Sequence, residues 1–193
     1  MILKKKKEDK IYNDGWIYVL LLTTLAILSE SIKNYTFQVA SVELSISLFL
    51  LPFTYLILNY ITKKYSVKKA IASIAISGVI FVCFSAIMSF LVGELGFLSN
   101  VAGEFCGYVV SCFMNLMIYV FLLNNTKQPI LLVYLNYIFS LLVYYLFYTL
   151  IYLNMILLDN YWKGFFITLF LQAIIIIPIT IVDHKIKRGR EVD

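Results

Sequence analysis

Residues 130–153 read ILLVYLNYIFSLLVYYLFYTLIYL, and this stretch decides the class of fold. No Asp, Glu, Lys or Arg occurs anywhere between Lys127 and Asp159. A run of about 20 apolar residues is long enough to cross a hydrocarbon core about 30 Å thick as an α-helix. We therefore predict a transmembrane helix at 130–153.

The rest of the chain has the same apolar character. Of the 193 residues, 62% are apolar and 14% are charged, whereas soluble domains contain about 45–50% apolar and about 25% charged residues. At about 25–30 residues for each helix and its connection, this length leaves no room for a separate soluble domain. The sequence therefore predicts an all-α, polytopic integral membrane protein with six transmembrane helices. The predicted spans are 16–29 (extended as far as 32), 45–61, 70–91, 101–123, 130–153 and 165–182.

Basic residues separate these spans asymmetrically. When alternate connections are placed on opposite sides, fourteen of the sixteen Lys and Arg residues fall on one side, and only Lys33 and Lys163 on the other. Basic connections are typical of the cytoplasmic side, so we predict that both termini are cytoplasmic. The predicted organisation is a basic N-terminal segment at 1–15, a membrane domain at 16–182 and a basic tail at 183–193. The expected location is the inner or plasma membrane of a bacterium.

The net charge of +5 belongs to this topology, so we expect no nucleic-acid partner. The one histidine, His184, lies in the predicted tail, which excludes a zinc site or a Ser/His/Asp arrangement within the membrane. No phosphate-binding Gly-x-x-x-x-Gly-Lys-Ser/Thr loop occurs. Cys83, Cys106 and Cys112 have no C-x-x-C spacing and are predicted to be small buried apolar residues. We predict no enzyme activity, catalytic residue, metal or cofactor.

Polar residues recur along one face of the fourth span. Glu104, Tyr108, Ser111 and Asn115 are spaced i, i+4, i+7 and i+11, which keeps them within about 60° of one another on an α-helix. Polar groups in hydrocarbon need partners, so such a stripe indicates either the wall of a cavity or an interface between helices. The sequence leaves both interpretations open.

The second span carries a proline within its apolar run. Ser45, Pro52, Asn59 and Thr62 lie on one side of this span. Proline has no N–H, so the carbonyl four residues earlier is left to bind a ligand, a water molecule or a side chain. Interrupted helices often line transporter sites, although prolines also occur in membrane helices without such a role.

The fifth span is rich in tyrosine. Interfacial belts explain tyrosines at the ends of a span but not a stripe along its length, and such a stripe offers a stacking surface for a flat heterocycle. The alternative is a general bias in a chain with 15 Tyr and 15 Phe. The tyrosines on this face are Tyr134, Tyr137, Tyr145, Tyr148 and Tyr152.

Three segments carry a resemblance to a known family. NYTFQ at 34–38, LPFTYLILNYITKKYS at 51–66 and KKA at 68–70 resemble the queuosine precursor transporter family, also called the VUT family. Asn59 and Asn115 stand where that family has intramembrane aspartates. The resemblance implies a six-helix fold with cytoplasmic ends and the uptake of a 7-deazaguanine base.

The resemblance also implies a set of binding residues. A guanine-like edge offers adjacent N–H donors that one carboxylate accepts in a two-pronged fashion, while amides bind the carbonyl and ring nitrogens. Tyrosine rings stack on flat bases. The residues expected to bind the substrate are Asn34, Gln38, Asn59, Glu104, Tyr108, Asn115, Tyr145 and Tyr148.

We therefore predict a small secondary transporter that imports a queuosine precursor or a related heterocycle, with the lipid bilayer as its other partner. Two alternatives stay open. One is the substrate-binding subunit of a vitamin or nucleobase uptake system with a separate energising module. The other is a non-transporting scaffold or regulator that packs through small-residue seams such as Gly103-x-x-x-Gly107-x-x-x-Ser111 or Ser73-x-x-x-Ser77. The sequence also leaves open a homo-oligomer, the coupling ion and the exact substrate.

Overall fold

A computed structural model describes the backbone of residues 2–32, 35–92, 97–123, 130–151 and 161–188, and the side chains of 15–32, 35–91, 101–123, 130–147 and 161–185. Within these residues the chain forms six α-helices and one β-hairpin. The elements are α1 (Ile2–Ser31), β1 (Thr36–Val39), β2 (Val42–Ser45), a 3₁₀ segment (Ile46–Leu50), α2 (Leu51–Lys64), α3 (Val67–Val92), α4 (Phe97–Leu123), α5 (Ile130–Ile151) and α6 (Tyr161–Arg188).

Five helical segments are long and apolar enough to cross a membrane, and α1 adds a shorter apolar helix at Gly15–Ser31. Large apolar side chains such as Phe90, Met117 and Phe170 are exposed on the outside of the bundle, as expected for surfaces that contact lipid. The chain is a helical, multi-pass membrane protein. The five segments are Ile46–Lys64, Val67–Leu91, Val101–Leu123, Ile130–Phe147 and Tyr161–Lys185.

Helix α2, which has only 14 residues, lies at the centre of the bundle. It contacts α1, α3, α4, α5 and α6, and Tyr55, Leu58 and Ile61 on it are completely buried. We call the end of the bundle that carries the β-hairpin the hairpin end. The opposite end, where Lys63 and Lys64 close α2, is the lysine end.

Small residues bring neighbouring helices close together. Gly107 of α4 faces Tyr144 of α5, and a Cβ at Gly107 would lie 3.2 Å from the Tyr144 backbone oxygen. Ser73 and Ser77 on α3 are also completely buried. Both predicted seams therefore lie at packed positions. The prediction that all three cysteines are buried is wrong for Cys83, which is exposed on α3, and right for Cys112.

The β-hairpin was not predicted and is an exception to the all-α prediction. Thr36 pairs with Ser45 and Val39 with Val42 in an antiparallel register. Ala40 and Ser41 make the turn between the strands with positive φ angles of 51° and 68°, the backbone of a type I′ turn. Such turns usually contain Asn or Gly, and neither residue occurs here, so the hairpin has no signal in the sequence.

The last helix is longer than the predicted span. Helix α6 continues to Arg188, and Asp183, the first residue of the predicted tail, is only 4% exposed. Charged residues begin at Asp183 while the helix continues, so a boundary drawn from hydropathy falls before the helix ends.

Candidate functional site

A cavity of about 430 Å³ opens at the hairpin end. This volume lies in the range of pockets that bind small molecules, roughly 300–1,000 Å³. Its walls come from β2, the 3₁₀ segment, α4, α5 and α6. The lining residues are Val42, Glu43, Leu44, Ser45, Ser47, Leu48, Glu104, Tyr144, Tyr145, Tyr161, Gly164, Phe165 and Thr168.

The hairpin is held over this cavity by alternation along β2. Val42 and Leu44 are buried, while Glu43 between them is exposed, as expected for successive side chains of a strand. Val42 packs on Gly164 of α6, where an added Cβ would lie 3.0 Å from Val42 Cγ1. Glycine at 164 therefore lets the hairpin approach α6 directly.

Two carboxylates give the cavity a negative character. Glu43 lines it from β2 and Glu104 from α4, and no Lys, Arg or His is among the described residues that line it. Glu104 also lines a second pocket of about 40 Å³, together with Tyr108. That smaller pocket has room for water but not for a heterocycle. Glu104 thus stands at the junction between the larger cavity and the bundle interior.

Aromatic rings form one side of the cavity. The ring of Tyr145 contacts Tyr144 and Phe165 edge to face, with centroid distances of 5.5 Å in both pairs. Its hydroxyl donates to Gln172 Oε1 at 3.0 Å. This bond fixes the orientation of the phenol and leaves its ring as part of the cavity wall.

The carbonyl four residues before Pro52 has a side-chain partner. Pro52 lies in the first turn of α2, and the carbonyl four residues earlier belongs to Leu48. Gln172 Nε2 donates to Leu48 O at 2.6 Å. The predicted side-chain bond to this carbonyl is confirmed, with a partner on α6, but Pro52 lies at the start of α2 and does not interrupt it. Gln172 therefore links the 3₁₀ segment below the hairpin to Tyr145.

Towards the lysine end, a second group of polar side chains is closed to solvent. Asn136 Nδ2 donates to Asn115 Oδ1 at 2.9 Å, and Asn115 Nδ2 donates to Asn59 Oδ1 at 2.7 Å. Asn59 Nδ2 donates in turn to Asp183 Oδ2 at 3.1 Å. These three asparagines, which we call the amide chain, connect α5, α4, α2 and α6 in that order.

Two tyrosines complete the bonds to Asp183. Tyr137 donates to Oδ2 at 2.9 Å and Tyr119 donates to Oδ1 at 3.4 Å. Asn59 and Asn115 are completely buried, and Asn136 is 2% exposed. A buried polar group is stable only when it is bonded, so this arrangement ties four helices together. We call it the Asp183 network, with members Asn59, Asn115, Tyr119, Asn136, Tyr137 and Asp183.

The polar stripe of α4 therefore divides between the two predicted roles. Glu104 lies on a cavity wall, while Asn115 lies in a helix interface. Tyr108, between them, shares a hydrogen bond of 3.0 Å with Ser77 and stacks on Phe81 at the contact with α3. One helix face thus serves as a cavity wall at one end and as an interface at the other.

The structure brings some of the predicted binding residues together and separates others. Glu104 and Tyr145 line the larger cavity, and Tyr108 lines only the smaller pocket. Asn59 and Asn115 lie in the Asp183 network instead, and Gln38 is exposed on β1. Two further predicted residues, Asn34 and the side chain of Tyr148, lie outside the described residues.

Sequence reasoning missed Asp183, because it was grouped with the basic tail. Gln172, Ile176, Ile179 and Asp183 have the same i, i+4, i+7, i+11 spacing as the stripe of α4, and all four are buried. Applying that spacing beyond Val182 would have found Asp183. The cavity is lined by residues of the predicted spans two, four and five, and in addition by α6 and by the residues of β2 that precede span two.

Glu30, in the extension of the predicted first span, is a second buried acid. It is 4% exposed and accepts a hydrogen bond of 3.0 Å from Ser85 Oγ, between α1 and α3. It lines neither the larger cavity nor the smaller pocket. Among the residues that the structure describes, no group of three or more His, Cys, Asp and Glu could hold a metal ion.

Comparisons with known proteins add no family assignment to this geometry. No family model matches the chain, and no curated protein or solved structure is significantly similar to it.

Proposed function

We propose that this chain is a small secondary transporter that imports a flat nitrogen heterocycle, a 7-deazaguanine base or a related compound. The observation that carries the proposal is the cavity of about 430 Å³, which combines the carboxylate of Glu104 with the ring of Tyr145. A cavity reached from one end of a membrane bundle is the arrangement that a carrier needs in one of its two states.

The chemistry of the cavity suits such a ligand. The carboxylates of Glu104 and Glu43 accept N–H groups, and a guanine-like edge presents adjacent N–H donors that one carboxylate can bind together. The same negative charge attracts an aminomethyl cation on the heterocycle. Tyr145 and Phe165 supply faces and edges against which a flat ring packs.

The proposed topology has six spans, with both termini and the lysine end on the cytoplasmic side of a bacterial cell membrane. The support is the distribution of basic residues, fourteen of sixteen on one side, together with the apolar helix Gly15–Ser31 as the first span. The hairpin end, with its cavity, then faces the outside. Green fluorescent protein fused to either terminus should fluoresce, because it matures in the cytoplasm. An expressed chain whose C-terminal fusion does not fluoresce would contradict the proposed orientation.

Uptake in cells tests the function. Cells that cannot make queuosine, supplied with 7-aminomethyl-7-deazaguanine, should regain modified tRNA when they express this chain. Glu104→Gln should reduce uptake at least tenfold, since it removes the charge from the cavity. Glu30→Gln is the matched control, because it neutralises a buried acid outside the cavity and should leave uptake unchanged.

Two results would contradict the proposal. Failure of the well-expressed chain to restore tRNA modification with any 7-deazaguanine would exclude this substrate class. Binding of the base by the purified chain without uptake, together with an ATPase that co-purifies, would assign it instead as the binding subunit of a larger system. A separate outcome concerns Glu104 alone: equal loss of uptake in Glu104→Gln and Glu30→Gln would show that Glu104 acts through folding.

A further inference from the structure

Asp183 is an acid in the interior of a membrane protein that the proposed binding cavity does not use. Its side chain is 4% exposed, although α6 ends only five residues later. Burying a carboxylate in a membrane is costly, and intramembrane acids commonly mark ion pathways or proton relays. A feature this costly calls for a functional explanation.

The hydrogen bonds identify the state of this acid in the present conformation. Asn59, Tyr137 and Tyr119 all donate to Asp183, and each comes from a different helix. An ionised carboxylate only accepts hydrogen bonds, whereas a protonated one also donates. The network is therefore arranged around the ionised form.

The charge of Asp183 also sets the direction of the amide chain. Asn59 must turn Nδ2 towards the carboxylate, so its Oδ1 faces Asn115 and accepts from it. Asn115 Oδ1 then accepts from Asn136 in the same way. Protonation of Asp183 would let it donate to Asn59 Oδ1, and all three amides could then reverse. The amide chain therefore has two possible directions of hydrogen bonding, one for each protonation state of Asp183.

At the Asn136 end of the amide chain, one acceptor has no donor. Asn136 Oδ1 is buried, and no described residue donates to it. A buried acceptor without a donor is unfavourable, so the network as it stands holds fewer donors than its acceptors need. One additional proton is the smallest change that supplies another donor.

The remaining groups around Asp183 come from each helix packed against it. The charge of Lys63 on α2 acts on Asp183, Tyr119 and Tyr137 face it from α4 and α5, and His184 follows it on α6. Three directed donors already occupy its oxygens, and a metal cation would have to displace them without replacing their hydrogen bonds. A proton displaces only the donor of Asn59, and the O–H group then donates to Asn59 Oδ1 in its place.

We propose that Asp183 is the proton-binding site that couples this carrier to the proton gradient. The inference rests on the proposed function for its link to transport, but not for the binding of the proton itself. The proton forms an O–H bond at Asp183 when the carboxylate is reached from the outside, and the same bond breaks when the proton leaves to the cytoplasm. No other reactant is needed.

Transport measurements test the coupling. In liposomes that contain the purified chain, an outside-acid gradient should accelerate uptake of 7-aminomethyl-7-deazaguanine at least fivefold. Asp183→Asn should abolish this acceleration but keep exchange of labelled for unlabelled base without a gradient. Glu30→Gln, which changes the other buried acid, should keep both activities. Acceleration by the gradient in Asp183→Asn, or by a Na⁺ gradient alone in the unmodified protein, would overturn the proposal.

A second variant addresses the pH dependence without removing the acid. Tyr137→Phe deletes one donor to the ionised carboxylate and keeps the ring. The protonated form then persists to higher pH, so the pH of half-maximal uptake should rise by about one unit, as expected for the loss of one hydrogen bond to a charged group. An unchanged pH profile would contradict a role for Asp183 as the proton site.

A substrate-independent measurement separates failure of this inference from failure of the proposed function. Infrared difference spectra of the purified chain, recorded between alkaline and acid buffer, should show the C=O stretch of a buried protonated carboxylic acid. This band should be absent in Asp183→Asn and present in Glu30→Gln. If the protein transports no base but shows this band, the proposed function fails and the proton site stands. The same band in Asp183→Asn would overturn the assignment of the proton site to Asp183.

Discussion

The two ends of the bundle treat their polar side chains in opposite ways. At the hairpin end, Glu104 and Tyr145 line a cavity of about 430 Å³. At the lysine end, Asn59, Asn115 and Asp183 bond to one another with almost no exposed surface. Glu104 and Asn115 lie on one face of one helix, so their orientation on α4 does not explain the difference.

The difference comes from what the neighbouring helices present. Opposite Asn115, both α2 and α5 supply an asparagine, so the amides satisfy one another. Opposite Glu104, the neighbours are tyrosines, a glycine and the hairpin, which do not fill the space. A polar residue in a membrane helix thus marks a cavity only where the facing helices leave one.

Asn115→Ala should give the largest loss of stability, because it affects the centre of the closed end. The change leaves Asn59 Oδ1 and Asn136 Nδ2 without a side-chain partner, at a cost of about 2–4 kcal/mol in the free energy of unfolding. Ser111→Ala, one turn away, removes one hydroxyl, which bonds Tyr108 O of its own helix and interacts with Tyr55; it leaves no amide group unsatisfied and should cost about 1 kcal/mol. Denaturant unfolding in detergent measures both. Equal losses of stability in the two variants would contradict a stabilising role of the Asp183 network.

Gln172→Leu should have the next largest effect, and this effect should be confined to the hairpin end. Leu48 O and the Tyr145 hydroxyl each lose the hydrogen bond to Gln172, at a cost of about 2 kcal/mol. Hydrogen exchange should become faster in residues 42–50, while α2 near Asn59 keeps its protection. Uniformly faster exchange would mean that the two ends are not independent.

Gly107→Ala should disturb the contact between α4 and α5 beside the cavity by about 1 kcal/mol, because overpacking outweighs the better helix propensity of alanine. Its Cβ would meet the backbone oxygen of Tyr144, which cannot turn aside. Gly78→Ala is the matched comparison, since there the Cβ meets only the side chains of Phe105 and Val109. Thermal unfolding should show a lower midpoint for Gly107→Ala; a lower midpoint for Gly78→Ala instead would contradict this explanation.

Ser41→Gly should give the smallest change and the opposite sign. Ser41 has φ of 68° in the hairpin turn, a backbone conformation that is unfavourable for residues other than glycine. The variant should be more stable by about 0.5–1 kcal/mol. Ser45→Gly, at a residue with φ of −73° whose hydroxyl accepts from Ser47 N, should instead lose stability. Destabilisation by Ser41→Gly would show that its side chain matters more than its backbone.

Local sequence patterns predicted individual features well where one helix was enough to define them. The stripe of α4, the small-residue seams and the carbonyl four residues before Pro52 depend on spacing along a single segment, which an α-helix fixes. The hairpin escaped prediction because Ala40 and Ser41 are not typical turn residues. Asp183 escaped because hydropathy assigns a charged residue next to a basic tail to water, although helical geometry turns it inwards.

The sequence by itself determined that this protein is a helical membrane protein, because transfer of so much apolar surface to lipid depends on composition and the length of each run. It also determined which polar residues share a helix face. Only the tertiary structure decided that Glu104 meets a cavity while Asn115 meets Asn59 and Asn136, and that Asp183 lies among them. The physical reason is that a buried polar group is satisfied by partners from other helices, and a one-dimensional pattern does not specify which helix faces which.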